Sequence, residues 1–200
     1  MEPFVYGVLI LTSVVGLAFI IERGIALRRG RVVPPEIEEA VESCRAPEDV
    51  AMLRQMCQQH NSALSRLLLE AVDHLKWPKA ENVDALQTRA RHEIARLERG
   101  LVVLEIIVGI APLLGLVGTI AGMMTLFGDI GQTGLTEASR LAQGIALILN
   151  ATLMGLLIAI PSLIFWSYYS KKVETIAIEM ESLCDEFIRR QYRREAKRVK

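Results

Sequence analysis

The chain has 200 residues, 52% of them hydrophobic even before its 14 glycines are counted, 23% charged, and no net charge. Soluble domains are ~45–50% apolar with glycine included, so an ordinary charged share beside this apolar share requires that the charges be segregated. Composition excludes a disordered chain, a collagen-like repeat and a disulfide scaffold, and zero net charge leaves no bulk electrostatic case for nucleic acid.

Segregation is plain along the chain. Residues 101–170 carry only Glu105, Asp129, Glu137 and Arg140. The first apolar run, residues 3–21, carries no charge. Nineteen residues rise about 28 Å as a helix, close to the ~30 Å hydrocarbon core. A cleaved signal peptide would have a basic start and a small-x-small exit. This run has neither and is followed by Glu22-Arg23, then Arg28, Arg29 and Arg31. Further spans are expected over 106–127 and 141–170, the last long enough to tilt or to run beyond the bilayer. The predicted fold is an all-α membrane protein with three transmembrane helices. The expected organisation is a first transmembrane helix at 1–22, a cytoplasmic helical loop at 23–100, two further spans within 101–170, and a basic helical tail at 171–200.

Lys and Arg set the orientation. They cluster after the first span, at Lys171-Lys172, and in the tail from Arg189 to Lys200, while the 128–140 connection has one Arg and two acids. The N-terminus and the short connection are therefore expected outside, with the loop and tail in the cytoplasm. Cys44, Cys57 and Cys184 then lie in a reducing compartment and match no zinc spacing, so they are read as small core residues.

In the loop, Ile37, Ala40, Val41 and Cys44 give a short apolar face, and Pro47-Glu48-Asp49 suits a helix start. Val50, Leu53, Cys57, His60, Leu64, Leu67 and Ala71 recur at three and four residues, predicting a sustained helical stripe. Trp77-Pro78 ends it. From about Ala80 the pattern Val83, Leu86, Ala90, Ile94, Leu97 and Leu101 predicts one helix of roughly 48 residues running unbroken into the second span. Trp166, Tyr169, Val173, Ile176, Met180, Leu183 and Phe187 likewise carry the third span on past the membrane, either as a helix–helix seam or as an amphipathic helix on the loop helices.

His60, His74 and His92 have no i, i+4 ligand spacing, and His60 on the apolar stripe reads as a core histidine. No Walker loop, dinucleotide fingerprint, nucleophile elbow or zinc-protease helix is present, and the spans hold no nucleophile–base pair or aspartate pair. No metal, no cofactor and no enzymatic activity are expected.

Inside the second span, Ala111, Gly115, Gly118 and Gly122 fall within about 60° of one another, and on the third Gly144, Ala151, Gly155 and Ser162 fall within about 40°. Such stripes let helices approach closely. Thr119 and Thr152 sit near mid-span. Each hydroxyl can bond its own i−4 carbonyl, or the two together can line a polar path. Glu105 shares the Thr119 face, about 21 Å nearer the cytoplasm. It can serve as an acid at the inner mouth of such a path, or pair with Arg99 or with a neighbouring subunit.

The run A-P-L-L-G-L-V-G-T-I-A-G-M-M-T-L-F from Ala111 closely resembles the second membrane helix of the MotA/TolQ/ExbB proton-channel family. Gly144-Ile145-Ala146 and A-T-L-M-G-L-L-I-A-I-P from Ala151 resemble its third, and Ile21-Glu22-Arg23 resembles the exit of its first. Span order, loop, tail and length fit the ExbB/TolQ branch. The resemblance implies a homopentameric ring in the bacterial inner membrane around an ExbD/TolR-like single-span partner with a membrane aspartate. It also implies a proton-motive-force-driven motor, with a TonB/TolA-like protein as a further partner. Thr119 and Thr152 match the family's lumen threonines, and Pro112 and Pro161 its prolines. Many relatives have a glutamate where this chain has Leu147, which favours a rival reading as a non-conducting scaffold of the same fold.

Overall fold

A computed structural model describes residues 2–45, 47–133 and 138–198; the side chains of Asp129, Arg140 and Leu147, and all of Glu137, lie outside the described residues. Every element among the described residues is an α-helix: α1 Glu2–Ala26, α2 Arg29–Val32, α3 Pro35–Ser43, α4 Pro47–Gln59, α5 Ala63–Asp73, α6 Lys79–Glu98, α7 Leu101–Thr133 and α8 Ala138–Arg198. Among the described residues three stretches are long and apolar enough to cross a membrane, Phe4–Ala26, Leu101–Gly128 and Ala142–Arg194. The chain divides into two compact units, one of residues 1–23 and 100–169, the other of 24–99 and 170–200.

In the first unit α1, α7 and the first part of α8 form a three-helix bundle held by small residues. Gly118 faces Val5 of α1 and Ala151 of α8, and Gly16 of α1 lies against Ile107 and Ser162. The Tyr169 hydroxyl donates to the Ile20 carbonyl at 2.9 Å, closing α1 onto α8. Ser162 and Thr12 donate to carbonyls four residues back, at 2.8 Å each. Their hydroxyls are thereby satisfied within the helix, as an apolar surround demands.

The second unit is a helical bundle on the far part of α8. Its core joins Ile37 and Val41 of α3, Leu53 of α4 and Leu68 of α5 to Met180 and Phe187 of α8. Proline stands at the first position of α3, where its missing N–H costs nothing. Ser62 caps α5, its Oγ accepting from the Ser65 N–H at 3.0 Å. Asn82 is fully buried and donates to the Ala71 carbonyl and the Tyr192 hydroxyl, both at 3.1 Å. Tyr192 in turn donates to the Trp77 carbonyl at 2.8 Å, so one phenol fixes the α5–α6 turn against the tail.

Three expectations are corrected. The stripe from Val50 to Ala71 is two helices, since α4 ends at Gln59 and the chain turns into the Ser62 cap. His60 therefore sits in the turn, exposed, and is not a core histidine. The predicted unbroken 48-residue helix is interrupted at Arg99-Gly100 between α6 and α7. Gly100 is buried there because the Arg23 side chain occupies the space a Cβ would take.

All three cysteines are buried. Burial pushes the Cys57 thiol up to about 11, against a hydrogen bond to Ser65 that lowers it. Burial also raises Cys44, helped by Asp49. Both stay protonated and inert at neutral pH.

Candidate functional site

The first unit's interior is apolar apart from a few hydroxyls, and two of these converge. Thr119 of α7 and Thr152 of α8 lie with Oγ1 atoms 3.1 Å apart. They meet because the helices touch backbone to backbone. A Cβ on Gly155 would stand 2.5 Å from the Ala111 carbonyl oxygen. One on Gly115 would stand 2.8 Å from the Ala151 oxygen and 2.9 Å from the Thr152 Cα. Real Cβ contacts are not that short, so the pair of glycines sets the interhelical distance and the threonine contact follows from it.

The hydroxyl protons have nearby acceptors. Thr119 Oγ1 lies 2.7 Å from the Leu116 carbonyl and 3.2 Å from that of Gly115, while Thr152 Oγ1 lies 3.3 Å from the Gly115 carbonyl. With each proton donated to a carbonyl or to the other hydroxyl, what remains free is lone pairs. The pair can accept from water or a cation and has little capacity to donate, and both residues are half-buried rather than sealed.

The other predicted positions fall as follows. Ala111, Gly115, Gly118, Gly122, Ala151 and Gly155 are buried, and Gly144 is half-buried against Leu126. Gly122 faces the Ile148 side chain rather than backbone. Pro112 and Pro161 lie inside α7 and α8 without ending them. Glu105 is exposed. Its position near the start of α7 separates it from Thr119 by fourteen residues, about 21 Å along the helix, so it joins no cluster with the threonine pair. Among the described residues no three His, Cys, Asp or Glu side chains are placed to hold a metal.

The match to known proteins runs through both glycine-lined helices. Residues 59–182, which include Gly115, Thr119, Thr152 and Gly155, match the family described as the MotA/TolQ/ExbB proton channel family. The chain belongs to that family. Among relatives, an ExbB-like biopolymer transport protein of Synechocystis sp. is 32% identical over 166 residues, 78% of this chain. The match spans 63% of that relative's length. The biopolymer transport protein ExbB of Aquifex aeolicus is 31% identical over 105 residues, covering 52% of this chain and 70% of its own. ExbB of Helicobacter pylori is 37% identical over 81 residues, 40% of this chain and 56% of its own. This is an ExbB-like membrane protein of a channel and transport family.

Two polar residues carried no sequence signal. Glu93, 1% exposed, is held by Arg66, Arg89 and Arg96 in the second unit. Asn150 lies exposed on α8, two residues before Thr152. A lone amide in an apolar run becomes visible only when the packed face of the helix is known.

Proposed function

We propose that the chain is the ring-forming subunit of a proton-driven motor in a bacterial inner membrane. On this reading copies close into a pentamer around an ExbD/TolR-like single-span partner, whose membrane carboxyl carries the proton at mid-depth. The observation that carries the reading is the Thr119–Thr152 contact, two hydroxyls at 3.1 Å where the glycine-lined faces of α7 and α8 meet. Lone pairs at mid-membrane favour a hydrated proton and disfavour an anion, which is the polarity a proton path needs. Glu105 would act at the inner mouth. TonB/TolA-like machinery would take up the motion.

Thr119→Val keeps the shape and removes the hydroxyl. It is expected to lower partner-dependent proton flux in vesicles severalfold, with the complex still assembling. Glu105→Gln is expected to lower flux with assembly intact if the carboxyl handles protons, and to weaken assembly if it pairs with a neighbouring subunit. The second reading, a non-conducting scaffold, is favoured by Leu147 and by hydroxyl protons already bonded to backbone. Absence of flux in the wild-type complex with its partner would establish that reading instead.

The proposed orientation puts the loop 23–100 and the tail in the cytoplasm. Cys44 and Cys184 cannot report it, because each is buried whichever side the unit faces. Met52 is 65% exposed on α4. Met52→Cys is expected to react with an impermeant thiol reagent only after permeabilisation; labelling in intact cells would reverse the topology.

A further inference from the structure

The face of α8 turned away from α7 and α1 holds an unmet polar demand. Asn150 lies there among exposed Leu149, Leu153, Leu157 and Ile164, and no hydrogen bond to its amide is found among the described residues. Pro161, exposed on the same side and within 20° of Asn150 on the helical wheel by the 100° repeat, has no N–H. The Leu157 carbonyl one turn earlier therefore loses its helical donor. A carboxamide and a bare carbonyl along one face are costly against lipid, where no water is available to pair them. Membrane helices meet such a demand by packing against another helix.

This chain offers a matching surface at the same level. Gly118 of α7 faces Ala151, so Val117 and Ile120 stand at the depth of Asn150. With Leu113 and Met124 they form an exposed apolar ridge on the side of α7 opposite its glycine seam. The two surfaces lie at opposite ends of the α7–α8 pair. Joining one to the other between copies is a head-to-tail contact, the kind that closes into a ring when the rotation closes. An Asn150-to-Asn150 contact would be two-fold and would stop at a dimer.

We infer that Asn150 and the α8 face around it pack on the Leu113–Val117–Ile120–Met124 ridge of the next copy, with the carboxamide buried in that contact. The inference rests on the ring proposed above and deepens it by naming the two faces that meet. The test is oxidative cross-linking of the full chain in its native membrane. Asn150→Cys combined with Val117→Cys is expected to give a ladder of dimers, trimers and higher species on a non-reducing gel, while each single variant gives none. Asn150→Leu, which keeps the size and removes the amide, is expected to cut the oligomer recovered in mild detergent at least severalfold, with Asn150→Gln recovering part of it. No ladder from the double variant while the wild-type oligomer persists by mass would overturn the contact and leave the ring standing. A dimer from Asn150→Cys alone would replace it with a two-fold contact. A wild-type monomer would overturn both the ring and the contact.

Discussion

Gly155→Ala is expected to destabilise the membrane unit by about 3 kcal/mol, the upper part of the range for overpacking. The added methyl would meet the Ala111 carbonyl oxygen at 2.5 Å, the Ala111 carbonyl carbon at 3.3 Å and the Gly115 Cα at 3.3 Å. All three are backbone atoms, so no side chain can rotate away and α7 and α8 must separate. Separation also pulls Thr152 from Thr119, so on the proposed function flux should fall with stability. Gly115→Ala is expected to behave alike, its methyl meeting the Ala151 oxygen and the Thr152 Cα. Gly122→Ala should cost somewhat less, because its methyl meets side-chain carbons of Ile148, Cγ1 nearest at 2.7 Å, rather than backbone. Gly109→Ala has nothing within 4 Å and should be neutral, or stabilising by up to about 1 kcal/mol through helix propensity. Thermal unfolding of the full chain in detergent measures the series. Equal stability of the Gly155 and Gly109 variants would refute the account.

The spans were legible because hydrocarbon thickness imposes a length and a charge gap that any sequence must display. The glycine stripes were legible for a related reason, since small residues at one angular position have few other uses in a membrane helix. What a single-helix wheel cannot contain is the contact between two helices. Thr119 and Thr152 could each be placed near mid-span, but their 3.1 Å contact depends on how α7 and α8 are registered, which Gly115 and Gly155 set jointly. The break at Gly100 was hidden in the same way. The residue that fills the space beside it, Arg23, comes from a helix 77 positions earlier in the chain. His60 misled because its three-residue spacing from Cys57 continues the stripe. The signal against it was the Asn61-Ser62 pair, a turn and cap signature, which ends one helix and starts another.

Glu93 illustrates a further limit and yields a second large effect. Periodicity placed Ala90, Ile94 and Leu97 on the buried face of α6, yet the structure buries Glu93 and leaves Ile94 and Leu97 half-exposed. The acid goes inward because Arg66 reaches it from α5 at 2.6 Å, with Arg89 at 3.4 Å and Arg96 at 3.6 Å along its own helix. Glu93→Gln keeps the shape but leaves three guanidinium groups facing no counter-charge. It is expected to destabilise the second unit by about 3 kcal/mol, the usual consequence of removing one partner of a buried pair. Arg66→Gln should approach that loss, since Arg66 makes the shortest bond. Arg96→Gln should cost under about 1 kcal/mol, its side chain being largely in solvent.

Acid should reproduce the effect in the wild type. Burial alone would raise the Glu93 carboxyl, but the Arg66 hydrogen bond and the charges of Arg66, Arg89 and Arg96 outweigh it and hold the group below the usual carboxylate range. A carboxyl whose folded pKa lies below its unfolded one stabilises fully above the unfolded value, about 4.3, and the stabilisation is lost as pH falls through the folded value. The stability gap between wild type and Glu93→Gln is therefore expected to be widest at pH 7 and to close progressively below about pH 4. Hydrogen exchange of the α5 and α6 amides in the full chain reads this locally, with protection at pH 7 falling about a hundredfold in the variant. A gap of the same size at pH 7 and at the acid end would mean that Glu93 contributes by shape and not by charge.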